Sequence, residues 1–214
     1  MRVRLGLFLM IYSVFALFLL NNAISETLDE YHRVINSPNP LNDFFSQDPK
    51  TQGLLRNVES HHLYKLPYVK DIPNFSIKNL IVSDIYAAYK EMKYVLDRFP
   101  NHPKALAIMG DLSKMMDDDL MGIFYYERAI SLYPQYAITH FQYGAFLMDI
   151  GKIDEAITEF QKAKDIGPNV AEPYHMLSVA HMKKGDIELA KEFEKKAQSL
   201  GYKDAKSDNS AVGK

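Results

Sequence analysis

Residues 135–168 read QYAITHFQYGAFLMDIGKIDEAITEFQKAKDIGP, and this stretch decides the fold. Two apolar runs with helical spacing flank a glycine, Gly151, and the second run ends at a proline, Pro168. A glycine between two such runs ends the first helix in a left-handed residue, and a proline cannot continue the second. Working outward, the 34 residues before this block, NHPKALAIMGDLSKMMDDDLMGIFYYERAISLYP (101–134), align to it without a gap. So do the 34 after it, NVAEPYHMLSVAHMKKGDIELAKEFEKKAQSLGY (169–202). Self-similarity at one fixed period is the signature of a repeat architecture.

Counting each repeat from Pro103, Ala137 and Ala171 brings out the packing logic. Position 8 is Gly110, Gly144 and Ser178, and position 20 is Gly122, Ala156 and Ala190. Small residues at these two places let a pair of helices approach closely where they cross. Large side chains at positions 4, 7, 11 and 24 fill the space around the crossing. Position 7 is Met109, Tyr143 and Leu177, and position 24 is Tyr126, Phe160 and Glu194, with Phe193 beside the last. Position 27 is alanine throughout, at Ala129, Ala163 and Ala197. Asp154 and Asp186 fall near the start of the second helix, where a carboxylate suits the helix dipole.

This pattern resembles the tetratricopeptide repeat (TPR), and the format is similar to that of small exported bacterial TPR proteins. The resemblance implies an all-α fold, a TPR-type α-solenoid of antiparallel helix pairs, with about three full repeats (101–134, 135–168, 169–202) plus a half repeat (83–100). The chain departs from the family in lacking tryptophan at position 4, in carrying Asp117 where glycine ends the first helix, and in Glu194 at position 24. The half repeat, SDIYAAYKEMKYVLDRFP, places Ala88, Met92, Val95 and Pro100 at positions 20, 24, 27 and 32, with Ser83 as an N-cap. The TPR domain thus spans 83–202, and 26–82 reads as a linker and accessory helical region. One helix is expected within 48–64, facing the stack through Leu54, Leu55, Val58 and Leu63. Residues 203–214 read as a disordered polar tail. The last helix carries Lys191, Glu192, Glu194, Lys195 and Lys196, which suits the solvated end that a solenoid requires.

The resemblance further implies that positions 2, 5, 9 and 12 of each first helix line a concave groove. They are Lys104, Ala107, Asp111 and Lys114, then Ile138, Phe141, Ala145 and Met148, then Glu172, His175, Val179 and Met182. Of these, Lys104, Asp111, Ile138, Phe141, Ala145, Met148, His175, Val179 and Met182 are the candidate partner-binding residues. An apolar, methionine-bearing stripe with a charged rim suits an amphipathic helix or extended peptide of a protein partner. TPR proteins that bind a C-terminal carboxylate use a basic and asparagine clamp. Ala107 and Asp111 stand where such a clamp would begin, which disfavours that ligand.

The N-terminus, MRVRLGLFLMIYSVFALFLLNNAISET, joins a basic start (Arg2, Arg4) to an apolar run from Leu5 to Leu20. Ala23 and Ser25 then form a small-residue cleavage site before Glu26. Residues 1–25 therefore read as a signal peptide or signal anchor, with membrane contact only through them if they are uncleaved. Either outcome places the rest outside the cytoplasm, the periplasm being the expected compartment. The function expected is a non-catalytic scaffold in the periplasm or cell envelope, and the alternative is an inner-membrane-anchored assembly factor of an envelope complex.

Composition narrows the remaining classes. With 25 basic and 27 acidic residues the chain lacks the positive excess of a nucleic-acid protein. The absence of cysteine removes disulfides, thiolate metal sites and cysteine nucleophiles. His61 and His62 are adjacent and do not share a helix face, while His140 and His181 fall on packing positions. No zinc spacing, calcium loop, phosphate-cradling glycine loop or nucleophile elbow is present, so no catalytic residue, metal or cofactor is expected. A metal carrier or unusual enzyme using the histidines is the remaining alternative.

Overall fold

The structure is a computed structural model that describes residues 42–63 and 82–203. The expected export segment, the first part of the linker region (26–41) and the polar tail lie outside the described residues, apart from Lys203. Among the described residues there are eight α-helices and no strand. They are α1 (Pro49–Val58), α2 (Val82–Arg98), α3 (Pro103–Met115), α4 (Asp119–Leu132), α5 (Ala137–Asp149), α6 (Ile153–Ile166), α7 (Ala171–Lys184) and α8 (Ile187–Ser199). Helices α3 to α8 pack as three consecutive pairs, α3 with α4, α5 with α6 and α7 with α8, and each pair leans on the next.

The turns inside the pairs are built alike. Asp117, Gly151 and Gly185 all have positive φ, at 55°, 82° and 86°. The amide that follows each one donates back five residues: Asp118 to Ser113 O at 2.9 Å, Lys152 to Leu147 O at 2.8 Å and Asp186 to His181 O at 2.9 Å. This is the hydrogen bond by which a left-handed residue closes a helix C-terminus. Asp117 is therefore the one non-glycine residue with positive φ among those described, in the position its two counterparts fill with glycine. Asp117→Gly is expected to stabilise the fold by about 0.5–1 kcal/mol, because glycine carries no Cβ penalty there. A denaturant midpoint that falls would show that the Asp117 side chain holds the turn.

The small residues sit where the sequence requires them. A Cβ on Gly144 would lie 2.7 Å from the Phe160 ring, and one on Gly122 would lie 2.3 Å from Phe146 Cζ. Position 8 thus accommodates the position-24 aromatic of its own repeat. Position 20 of the first repeat accommodates an aromatic of the second. Ala156 and Ala190 are buried in the equivalent crossings.

Helix α2 buries Ala88, Met92 and Val95, and it takes in Ser83 rather than being capped by it. Helix α1 starts on an Asp48 carboxylate that accepts from Thr51 N at 2.7 Å, with Pro49 in its first turn. The expectation for Leu54 is corrected: it is 40% exposed, while Leu55, Val58 and Leu63 are buried. A π-helical turn over Glu59–Leu63 follows α1 and lies against α2. Its wider turn brings Leu63 back to the face of Val58, five residues away. Leu54 and Leu55 flank Val58 on opposite sides of α1, and only the Leu55 side is covered.

Residues 42–45 strap this region to the repeats. Asn42 N donates to Arg98 O at 3.0 Å, and Phe44 N donates to Asn101 Oδ1 at 2.9 Å. Asn101 Nδ2 donates to Asp43 Oδ1 at 2.6 Å, and the Tyr136 hydroxyl donates to the other Asp43 oxygen. Phe45 lies on the Tyr136 ring at 4.3 Å.

Candidate functional site

Helices α3 and α5 lie side by side, and each turns one regularly spaced row of residues toward the same concavity. Ala107, Asp111 and Lys114 follow at i, i+4 and i+7 on α3. Phe141, Ala145 and Asp149 follow at i, i+4 and i+8 on α5. These six residues, with Gly110, Tyr126, Gln142 and Phe146, line a pocket of ≈160 Å³. Its floor is apolar, and one wall is ionic.

Lys114 spans that wall. Its Nζ lies 3.0 Å from Asp111 Oδ1 and 2.6 Å from Asp149 Oδ2, so one ammonium ties the first repeat to the second. Burial opposes the charge on Lys114, but the hydrogen bonds to Asp149 and Asp111 outweigh it and hold its pKa above the ordinary lysine value. Tyr126 comes from α4, behind the groove. Gly110 has no side chain to cover it, and a Cβ there would stand 3.3 Å from the ring. Tyr126 therefore lines the pocket, although the residue is only 3% exposed. Burial first, then the charges of Asp111 and Asp149, push the Tyr126 phenol well above its usual pKa and keep it neutral.

Three of the nine candidate groove residues, Asp111, Phe141 and Ala145, meet in this pocket. Lys104 is half-buried in the first turn of α3 and Ile138 is exposed in the first turn of α5; neither lines the pocket. Met148 is half-buried and packs against the core. On α7, Val179 is half-buried and Met182 is exposed. His175 is engaged within its own pair: Nδ1 lies 2.9 Å from Glu194 Oε2, and the ring stacks on Tyr202 at 4.0 Å. Asp149, Tyr126 and Gln142 were not among the candidates. The i+4 continuation from Phe141 and Ala145 signals Asp149, and the glycine facing an aromatic across the helix pair signals Tyr126.

The other histidines also serve the scaffold. His140 Nδ1 lies 2.7 Å from Glu159 Oε2 and its Nε2 lies 3.1 Å from Pro134 O, so both ring nitrogens are engaged. Burial opposes the charge on Glu159, but His140 and Lys162 outweigh it and hold that carboxyl below its usual value. His102 accepts from Ala105 N at the start of α3 and reaches Glu59 at 3.2 Å. His61 and His62 go to different partners, Asn57 O at 2.8 Å and Glu91 at 2.6 Å. Among the described residues no three histidine or acidic side chains converge as a metal site would require. No described helix is long and apolar enough to cross a membrane.

A tetratricopeptide-repeat family model matches residues 171–200, which take in all of α7 and α8. No curated protein matches the chain. Among solved structures, a crystal structure of MamA is similar at 23% identity and a TM-score of 0.51, over 70% of this chain and 83% of that one. A second MamA crystal structure is similar at 21% identity and a TM-score of 0.50, over 77% and 83% of the two chains. At such identities the likeness bears on the fold. The matched pair shares its turn geometry and small-residue crossings with the two pairs before it, and the chain has a tetratricopeptide-repeat fold.

Proposed function

We propose that this chain is a non-catalytic protein-binding scaffold of the cell envelope, exported through its N-terminal segment, that presents the α3–α5 groove to a peptide or helix of a partner protein. The observation that carries the reading is the pocket itself. Two adjacent repeats open an apolar floor beside a fixed ionic wall, and both are in place before any ligand arrives. A preformed groove on packed helices spends little ordering entropy on binding. The compartment rests on the basic start and apolar run of residues 2–20. The same run supports a membrane-anchored form, and the mass of the purified chain, with or without residues 1–25, separates the two.

Phe141 is half-buried and its ring lies 5.9 Å from Phe160, so Phe141→Ala would disturb the fold as well as the groove. Ala145→Leu is the cleaner block, because it fills the pocket and removes nothing from the core. In a crosslinked pull-down from native envelopes with the tagged full-length chain, Ala145→Leu is expected to lower partner recovery about tenfold, an affinity loss of about 1.4 kcal/mol, with an unchanged melting temperature. Undiminished recovery would move the binding surface off this groove.

A further inference from the structure

We infer that the pocket between α3 and α5 receives a basic side chain, lysine or arginine, from the bound segment of the partner. This rests on the groove reading above and specifies its ligand. The ionic wall holds two carboxylates, Asp111 and Asp149, and one ammonium, Lys114, which leaves one negative charge unbalanced. Lys114 uses Oδ1 of Asp111 and Oδ2 of Asp149. Among the described residues the second oxygen of each carboxylate has no side-chain partner.

Gln142 is an independent second observation. It lines the pocket, its Nε2 donates to Pro103 O at 3.1 Å, and among the described residues its buried Oε1 has no hydrogen-bond partner. A buried polar atom without a partner is costly, so an acceptor held at the pocket marks a place for a ligand's donor. The two open carboxylate oxygens and Gln142 Oε1 are acceptors only. A guest that satisfies all three must bring donors, and the surplus negative charge selects a cation over a neutral amide. An acidic guest would add to the surplus. The remaining lining, Ala107, Phe141, Ala145 and Phe146, suits the aliphatic stem that lysine and arginine carry behind the charge.

Lys114 then acts as an internal competitor. It shares the two carboxylates with the guest and opposes it by charge, and in the free chain it keeps the carboxylates from repelling each other. Removing its charge should tighten a basic guest and weaken an acidic one, so a single variant reports the sign of the ligand.

The test is selection of short peptides from a random displayed library on the full-length chain, followed by affinities of labelled synthetic copies. Selected peptides are expected to share a lysine or arginine beside an apolar residue. Exchanging that residue for norleucine should weaken binding about tenfold, and Asp111→Asn with Asp149→Asn should erase the difference. Lys114→Met, which keeps the stem, should tighten the basic peptide about threefold to fivefold. The inference is overturned, with the groove reading intact, by peptides that need an open pocket (lost in Ala145→Leu) yet carry no basic residue, ignore the Asn variants or weaken in Lys114→Met. Peptides that bind Ala145→Leu as well as the native chain overturn the groove reading and this inference with it, and so does failure to select any peptide.

Discussion

Phe160→Ala is expected to lower the unfolding free energy by about 3–5 kcal/mol, which is a large part of what a domain of this size has. The ring is fully buried on α6, fits against Gly144 of α5 and lies 5.9 Å from Phe141. Its loss leaves a cavity at the crossing of the middle helix pair, where glycine offers no side chain to collapse into the space. A repeat stack holds together only through neighbours, so weakening the middle pair also uncouples the outer two. Chemical denaturation followed by circular dichroism should show an earlier transition with a lower slope. An unchanged midpoint would mean that α5 and α6 are not held by this contact.

Gly122→Ala is expected to cost about 1–3 kcal/mol, although alanine is the better helix former by about 1 kcal/mol. The added methyl would stand 2.3 Å from Phe146 Cζ and 2.6 Å from Ser113 Oγ. Phe146 is buried between the first and second repeats and Ser113 is fully buried, so neither has room to retreat. The strain therefore falls on the junction of the two repeats that form the pocket. Thermal unfolding of Gly122→Ala decides between the opposing terms: a raised melting temperature would show that propensity wins and that the junction is looser than its geometry implies.

The repeats were legible because their determinants are short-range and recur. A small residue opposite an aromatic, a left-handed turn residue and a proline after the second helix are each set by local geometry, and each returns after 34 residues. Asp117 could be picked out as a departure for the same reason, and it adopts the left-handed turn its counterparts adopt. Leu54 was misread because a helical count gives the apolar stripe but not its edge: Leu54 and Leu55 flank Val58 on opposite sides of α1, and only the Leu55 side is covered. The strap of residues 42–45 was not legible at all. The contacts of Asp43 with Asn101 and Tyr136 join distant parts of the chain and repeat nowhere.

The pocket lay between these cases. Positions along the first helices identified Asp111, Phe141 and Ala145. They could not identify Tyr126, which belongs to a second helix and shows through only because Gly110 leaves a window. His175 sits in a groove position yet turns to Glu194, 19 residues on. His140 and Glu159 have the same separation and the same bond in the preceding pair, a pattern that a search for groove residues passes over.

The strap also decides how the molecule carries load. A chain of stacked pairs pulled from one end gives way like a zip, one pair after another, because each contact bears the force in turn. Tension on residue 42 enters this protein at Arg98, Asn101 and Tyr136 together. Those bonds share the force and must fail as a group. At the C-terminal end the Tyr202 ring lies on His175 of α7, a clasp within the last pair, so a pull along the chain loads that pair first and the α3–α5 groove later.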